Sequence, residues 1–264
     1  KEFHDAMRSR MLWAIVALIA IMTSLAAAVM VLVPGVSGDP VTAIGGASQF
    51  AALLVPIMAL IAAYLAIAGE RESGSLKVLL GLPPTRDEVV LGKFLGRAVV
   101  VAMGVAGGFA VAGVVTAFLF GELPIADFLG VTVLTSSLGI SFVGIAIGIS
   151  AISATRSRAM TLAIAVFLAL TLLWDLVPQG VHLLVTGSMP GQTVPGWFLL
   201  LQGASPSGAY NALVQRLLVE GDLAIAARLG GEVPVYLHGG VFVLVLVAWT
   251  VLPVFFGLAR FRVA

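Results

Sequence analysis

Among the uncharged stretches of this chain six are mainly apolar: residues 11–38, 40–69, 98–121, 128–155, 159–174 and 233–259. A helix needs about 20 apolar residues to cross the hydrocarbon of a bilayer, and most of these runs exceed that. Hydrocarbon offers a backbone no partners, so a spanning segment must be a helix or part of a closed barrel. The runs are continuously apolar and lack the alternation of barrel strands, which excludes the barrel. The chain therefore reads as an all-α membrane protein. Six spans are expected at about 11–33, 49–69, 89–120, 128–152, 159–178 and 238–258, with an outer segment at 179–236. Only 10% of the residues are charged, against about a quarter in soluble domains. No linker, repeat or low-complexity tract divides the chain, so 1–264 is one domain.

The few charges set the orientation. With the N-terminus in the cytoplasm, only Arg216 and Arg228 among the 14 Lys and Arg residues fall outside. By the positive-inside rule both termini are cytoplasmic, and the expected location is the plasma membrane. The chain begins without Met, so the numbering is expected to start inside a longer chain. The first span lacks a small-residue cleavage site and is expected to be retained.

Pro56 is a candidate kink in the second span. Gly92, Gly96, Gly104 and Gly108 in the third and Gly144 and Gly148 in the fourth have the small-xxx-small spacing of close helix packing, although glycine is common in membrane helices in any case. Asp175 comes seventeen residues after Arg158. At about 1.5 Å per residue that places it near the outer edge of the hydrocarbon, where an acid reaches water. In the outer segment, Ser205-Pro206 reads as an N-cap with proline at the first helical position. Leu213, Leu217 and Leu218 against Gln215 and Arg216 give an amphipathic helix expected in the outer leaflet, with Trp197, Tyr210 and Tyr236 as interface anchors.

Catalytic chemistry is not expected. There is no G-x-x-x-x-G-K-[ST] loop, since Gly92-Lys93 lacks both the upstream glycine and the following hydroxyl. The chain has no cysteine, and His4, His182 and His238 show no ligand spacing, so no metal or redox centre is expected. No paired carboxylates lie in the spans, and nothing points to nucleic acid.

One stretch, 69–97, holds Glu70, Arg71, Glu72, Lys77, Arg86, Asp87, Glu88, Lys93 and Arg97 between two apolar spans. Ser73, Gly74 and Ser75 break the helix, 76–82 can form a short helix along the membrane surface, and Pro83-Pro84 stops it. Thr85 with Glu88 three residues later is a capping box that opens the next helix. This stretch resembles the signature of type-2 ABC transporter permeases: an acidic-basic-acidic triplet, a glycine turn, a Leu-Leu short helix, a proline, an arginine and Gly-Lys-Phe. Those elements are here Glu70, Arg71, Glu72, Gly74, Leu79, Leu80, Pro83, Arg86 and Gly92-Lys93-Phe94.

The resemblance implies a non-catalytic permease subunit with six spans. Its short helix would be a coupling helix docked on a separate ABC ATPase, which binds ATP and Mg²⁺, and two copies of the chain would form the unit. Leu76, Leu79 and Leu80 would fill the ATPase groove, with Glu70, Arg71, Glu72 and Arg86 fixing the angle of the helix. The second span, Trp174 to Val177, and Ser205-Pro206-Ser207 with Ala209-Tyr210 are similar to permeases of copper-processing ABC transporters that help mature nitrous oxide reductase. That likeness implies an extracytoplasmic partner protein. A generic exporter of drugs, lipids or glycans remains the alternative. A secondary carrier would need polar midplane residues, and a structural anchor would not need the charged stretch.

Overall fold

The structure, a computed structural model, describes residues 10–32, 38–74, 85–219 and 221–263. All regular structure among them is helical. The long elements are α1 (Arg10–Leu32), α2 (Pro40–Ala63), α4 (Arg86–Phe120), α5 (Ile125–Ile152) and α11 (Gly239–Val263). Between them stand the short α3 (Ala68–Ser73), then α6 (Arg156–Phe167), which runs into a π turn at Leu168–Leu172, and α7 (Leu176–Thr186). α8 (Gly196–Gln202), α9 (Pro206–Leu218), α10 (Leu223–Leu229) and a 3-10 turn at Val235–Leu237 complete the order.

Among the described residues four helical segments are long and apolar enough to cross a membrane: Pro40–Ser73, Arg86–Phe120, Ile125–Ile152 and Gly239–Arg262. A fifth exists if Arg156–Leu172 and Leu176–Thr186, bent by 56° at the break between them, make one span. The expected first span falls on α1, a helix of 23 residues. The second helix begins earlier than expected, at Pro40, because the Asp39 carboxylate accepts a 2.7 Å hydrogen bond from Thr42 N and Pro40 takes the first helical position. The fifth span departs most from expectation. It was expected to run unbroken to residue 178, but the π turn and the break at 173–175 end it early.

Glycine decides how closely the long helices pack. A Cβ on Gly144 or Gly148 would stand 2.4 Å from the carbonyl oxygen of Thr250 or Pro253, and one on Gly257 would stand 2.8 Å from Gly148 Cα. α5 and α11 thus touch backbone to backbone. Ser141 Oγ strengthens this seam by hydrogen bonds to Leu246 O and Thr250 Oγ1 at 3.0 and 2.9 Å, the small-residue and hydroxyl contacts that hold helices together where lipid gives no hydrophobic drive. A Cβ on Gly108 of α4 would stand 2.6 Å from Ile19 Cβ of α1, so there the glycine makes room for a side chain. A Cβ on Gly92 or Gly96 meets nothing within 4 Å among the described residues, so that pair makes no such seam there.

Helices α8 and α9 form a hairpin that packs into the bundle. Trp174 Nε1 donates to Leu201 O at 2.9 Å and Trp249 Nε1 to Ala204 O at 2.8 Å, so two indoles grip its turn. Trp249 is ten residues below Gly239, about 15 Å along α11. Ser205 caps α9 as expected, accepting from Gly208 N at 3.0 Å. One face of α9 packs on the bundle, with Ala209, Tyr210, Leu213 and Val214 buried. Tyr210 is no interface anchor. It is fully buried, with its hydroxyl bonded to Thr135 Oγ1 at 3.0 Å and donating to Ser48 O at 3.2 Å. Tyr236, by contrast, is exposed.

Candidate functional site

The charged stretch is anchored where four helices end. α3 starts with the N–H groups of Ile67 and Ala68 both donating to Ser150 Oγ of α5, at 2.9 and 3.0 Å. A hydroxyl has two lone pairs, and here, fully buried, it spends them on two donors that the break would otherwise orphan. α3 ends on Gly74, whose φ of +79° is the left-handed conformation that glycine adopts without strain. Across the undescribed residues 75–84, α4 opens on the expected capping box, with Thr85 N donating to Glu88 Oε2 at 2.7 Å and Glu88 N to Thr85 Oγ1 at 3.3 Å.

Each member of the acidic-basic-acidic triplet reaches a different helix. Glu70 pairs with Lys93 of α4 at 2.6 Å. Arg71 Nη1 donates to Ser153 O, past the end of α5, at 3.0 Å. Glu72 accepts from Arg156 N in the first turn of α6, where a carboxylate suits the positive end of a helix. Arg86 Nη1 donates to Phe261 O at 2.7 Å and Arg262 O at 3.3 Å, at the carbonyl end of α11. Two guanidinium groups stand over the Phe261 ring, Arg71 at 5.3 Å and Arg86 at 5.6 Å from its centroid, each within cation–π distance. Asp87 and Arg262 complete the clasp as a bidentate ion pair.

The structure thus brings Glu70, Arg71, Glu72 and Arg86 to one pole, with Gly74 closing α3 beside them. Leu76, Leu79, Leu80 and Pro83 lie outside the described residues. Sequence reasoning missed Ser150, Ser153, Phe261 and the Asp87–Arg262 pair as members of this site. Arg260 and Arg262 were legible only as inner charges, and a serine in an apolar run gives no sign of which backbone it will cap.

At the other pole His182 is buried. Its Nδ1 is 3.0 Å from Ser188 O, and its ring stacks on Trp197 with centroids 6.0 Å apart. Asp175, expected near the outer edge, sits in the break before α7 and accepts from Gln202 Nε2 of the hairpin at 3.4 Å.

Comparison with known proteins agrees with this architecture. The chain matches the model of the ABC-2 family transporter protein over residues 1–263. It is 33% identical over 244 residues to the "probable ABC transporter permease protein NosY" of Pseudomonas aeruginosa, covering 89% of this chain and 84% of that protein. To the protein of the same description from Stutzerimonas stutzeri it is 31% identical over 273 residues, covering 99% and 95%. A full-length family match, two relatives of nearly equal length and an all-helical bundle with a clasped charged stretch at one pole agree: this chain belongs to the ABC-2 family of transporter permeases.

Proposed function

We propose that this chain is the membrane subunit that couples ATP hydrolysis on a separate ABC ATPase to export or to work on an extracytoplasmic partner, in copper-site maturation of nitrous oxide reductase. What carries the reading is the full-length membership of the ABC-2 family together with the clasp. Residues 75–84 leave from α3 and return to α4, and both helices are tied by Arg71 and Arg86 to the same end of α11. A load placed on that loop therefore acts on α2, α4, α5, α6 and α11 together. The NosY relatives favour the maturation reading over a generic exporter, and the work on the partner is force transmission, since the chain offers no convincing copper ligands. ATP and Mg²⁺ belong to the ATPase subunit.

In this reading six spans, α1 included, cross the plasma membrane with both termini and the charged stretch inside, and two copies make the unit. Single cysteines test the orientation cleanly in a cysteine-free chain: Ser75→Cys or Thr85→Cys labelled by an impermeant reagent from outside, with Gly187→Cys protected, would reverse it. Mass measurement of the purified complex tests the pair; a fully active one-to-one assembly would contradict it.

The docking test is Leu79→Ala with Leu80→Ala. An apolar anchor truncated at an interface centre costs roughly 2 kcal/mol or more, whereas rim charges cost little. The expected result is loss of the co-purifying ATPase, or hydrolysis that no longer responds to the permease, with the helical content unchanged. Unchanged association and unchanged permease-dependent hydrolysis would remove the central claim.

A further inference from the structure

The break between α6 and α7 holds more than a bend. Interrupted helices and π turns commonly line ligand sites. Here Asp175 stands in the break, Gln202 Nε2 donates to its Oδ1 at 3.4 Å, and Gln202 Oε1 accepts from Arg228 Nη1 at 3.2 Å. A carboxylate and a guanidinium are thus held on the two sides of one carboxamide. Neither is used up among the described residues. The Asp175 bond is long for a carboxylate acceptor, and a guanidinium has five N–H donors.

Beside this chain lies a cavity of about 130 Å³, lined also by Gln49 of α2, Asn211 and Gln215 of α9, and closed on its apolar side by Phe242. At roughly 30 Å³ per water it has room for a few waters or one small organic molecule. Asn211 Oδ1 is buried with no partner among the described residues, an acceptor whose desolvation is uncompensated until a donor reaches it. Gln49 and Gln215 also border a more open, mainly apolar groove between α2 and α9, lined by Val41, Gly45, Val214 and Leu218. That groove extends toward the outer ends of both helices and gives the cavity an approach from that side.

The lining selects by elimination. A simple cation meets Arg228, a simple anion meets Asp175, and an apolar molecule strands six polar side chains. We propose that this cavity binds a small zwitterion of amino-acid size, its ammonium group at Asp175 and Asn211 and its carboxylate at Arg228, with Gln49 and Gln215 at the entrance. The site lies at the opposite pole from the coupling stretch and does not rest on the docking reading.

The test uses the permease co-purified with its ATPase in lipid nanodiscs, with L-alanine as probe, read by thermal unfolding and by titration calorimetry. L-alanine is expected to stabilise saturably. Glycine betaine, which keeps both charges but has no N–H, is expected to bind about tenfold or more weakly, as are acetate and methylamine, because one hydrogen bond to a charged group is worth at least a factor of ten. Arg228→Gln and Asp175→Asn should each weaken L-alanine by a similar factor. Asn211→Leu separates binding from folding: removing an orphan acceptor leaves the unliganded midpoint unchanged or higher, while L-alanine binding falls. No saturable effect of L-alanine, meaning a cavity that holds water only, would overturn the proposal. So would equal affinity for glycine betaine, or L-alanine binding undiminished in Arg228→Gln.

Discussion

At the pole of the charged stretch Arg71 and Arg86 stand over the Phe261 ring, Glu70 meets Lys93, and Asp87 meets Arg262. At the opposite pole the turn of the α8–α9 hairpin is gripped by Trp174 and Trp249 and its second helix is anchored by Tyr210, uncharged donors that each find one carbonyl. The difference follows from solvent. Where helix ends meet water, charges are cheap and carbonyl ends attract cations. Inside the bundle a charge is costly, so the turn of the hairpin is fixed by neutral hydrogen bonds and by close contact at glycine, while the charged contact of α9, Arg216 with Asp222 at 2.6 Å, stands at the far end of that helix.

On that contrast, the clasp depends on the buried Phe261 ring more than on its ion pairs. Phe261 is 2% exposed. Phe261→Ala should cost about 3 kcal/mol by lost packing and also uncouple permease-dependent ATP hydrolysis, measured by thermal unfolding and by hydrolysis assays in parallel. A loss of stability without loss of coupling would reduce the clasp to a structural tie.

The corresponding break at the opposite pole is Gly208→Ala. A Cβ there would lie 2.0 Å from Gln202 O, so the turn of the hairpin must open, at about 2 kcal/mol of overpacking. Limited proteolysis between residues 187 and 205 is expected to quicken while the 69–97 stretch keeps its cleavage rate. Equal quickening at both poles would show that they unfold as one unit.

Tyr210→Phe sharpens the comparison further. It removes one hydroxyl and leaves Ser48 O and Thr135 Oγ1 without that partner, costing about 1–2 kcal/mol, read as a lower unfolding midpoint. An unchanged midpoint would mean the hairpin is held by shape alone. The smallest effect belongs to Arg262→Gln: its pair with Asp87 is exposed, such pairs contribute little, and no measurable change in the unfolding midpoint is expected at physiological salt.

These cases also show what could be read in advance. The Thr85 capping box, the Ser205 cap and the Gly74 stop are local, and each sits where its residue type predicted. The partners of the triplet were not legible, since Ser153, Arg156 and Phe261 are more than 80 residues away from Arg71 in sequence. Glycine spacing alone did not tell the α5–α11 seam at Gly144 and Gly148 from the open positions of Gly92 and Gly96.

By itself the sequence determined the solvent, the helical class, most of the long helices and the family, because long uncharged runs leave the backbone no alternative in hydrocarbon and because the charged stretch is contiguous. Only the tertiary structure decided that the fifth run breaks at Asp175 and that α9 enters the bundle. Apolar composition suits a helix on the membrane surface and a helix within the bundle equally well. The choice between them was made by contacts from distant segments: Ser48, Thr135, Trp174 and Trp249, each supplying the partner that a polar group needs once water is gone.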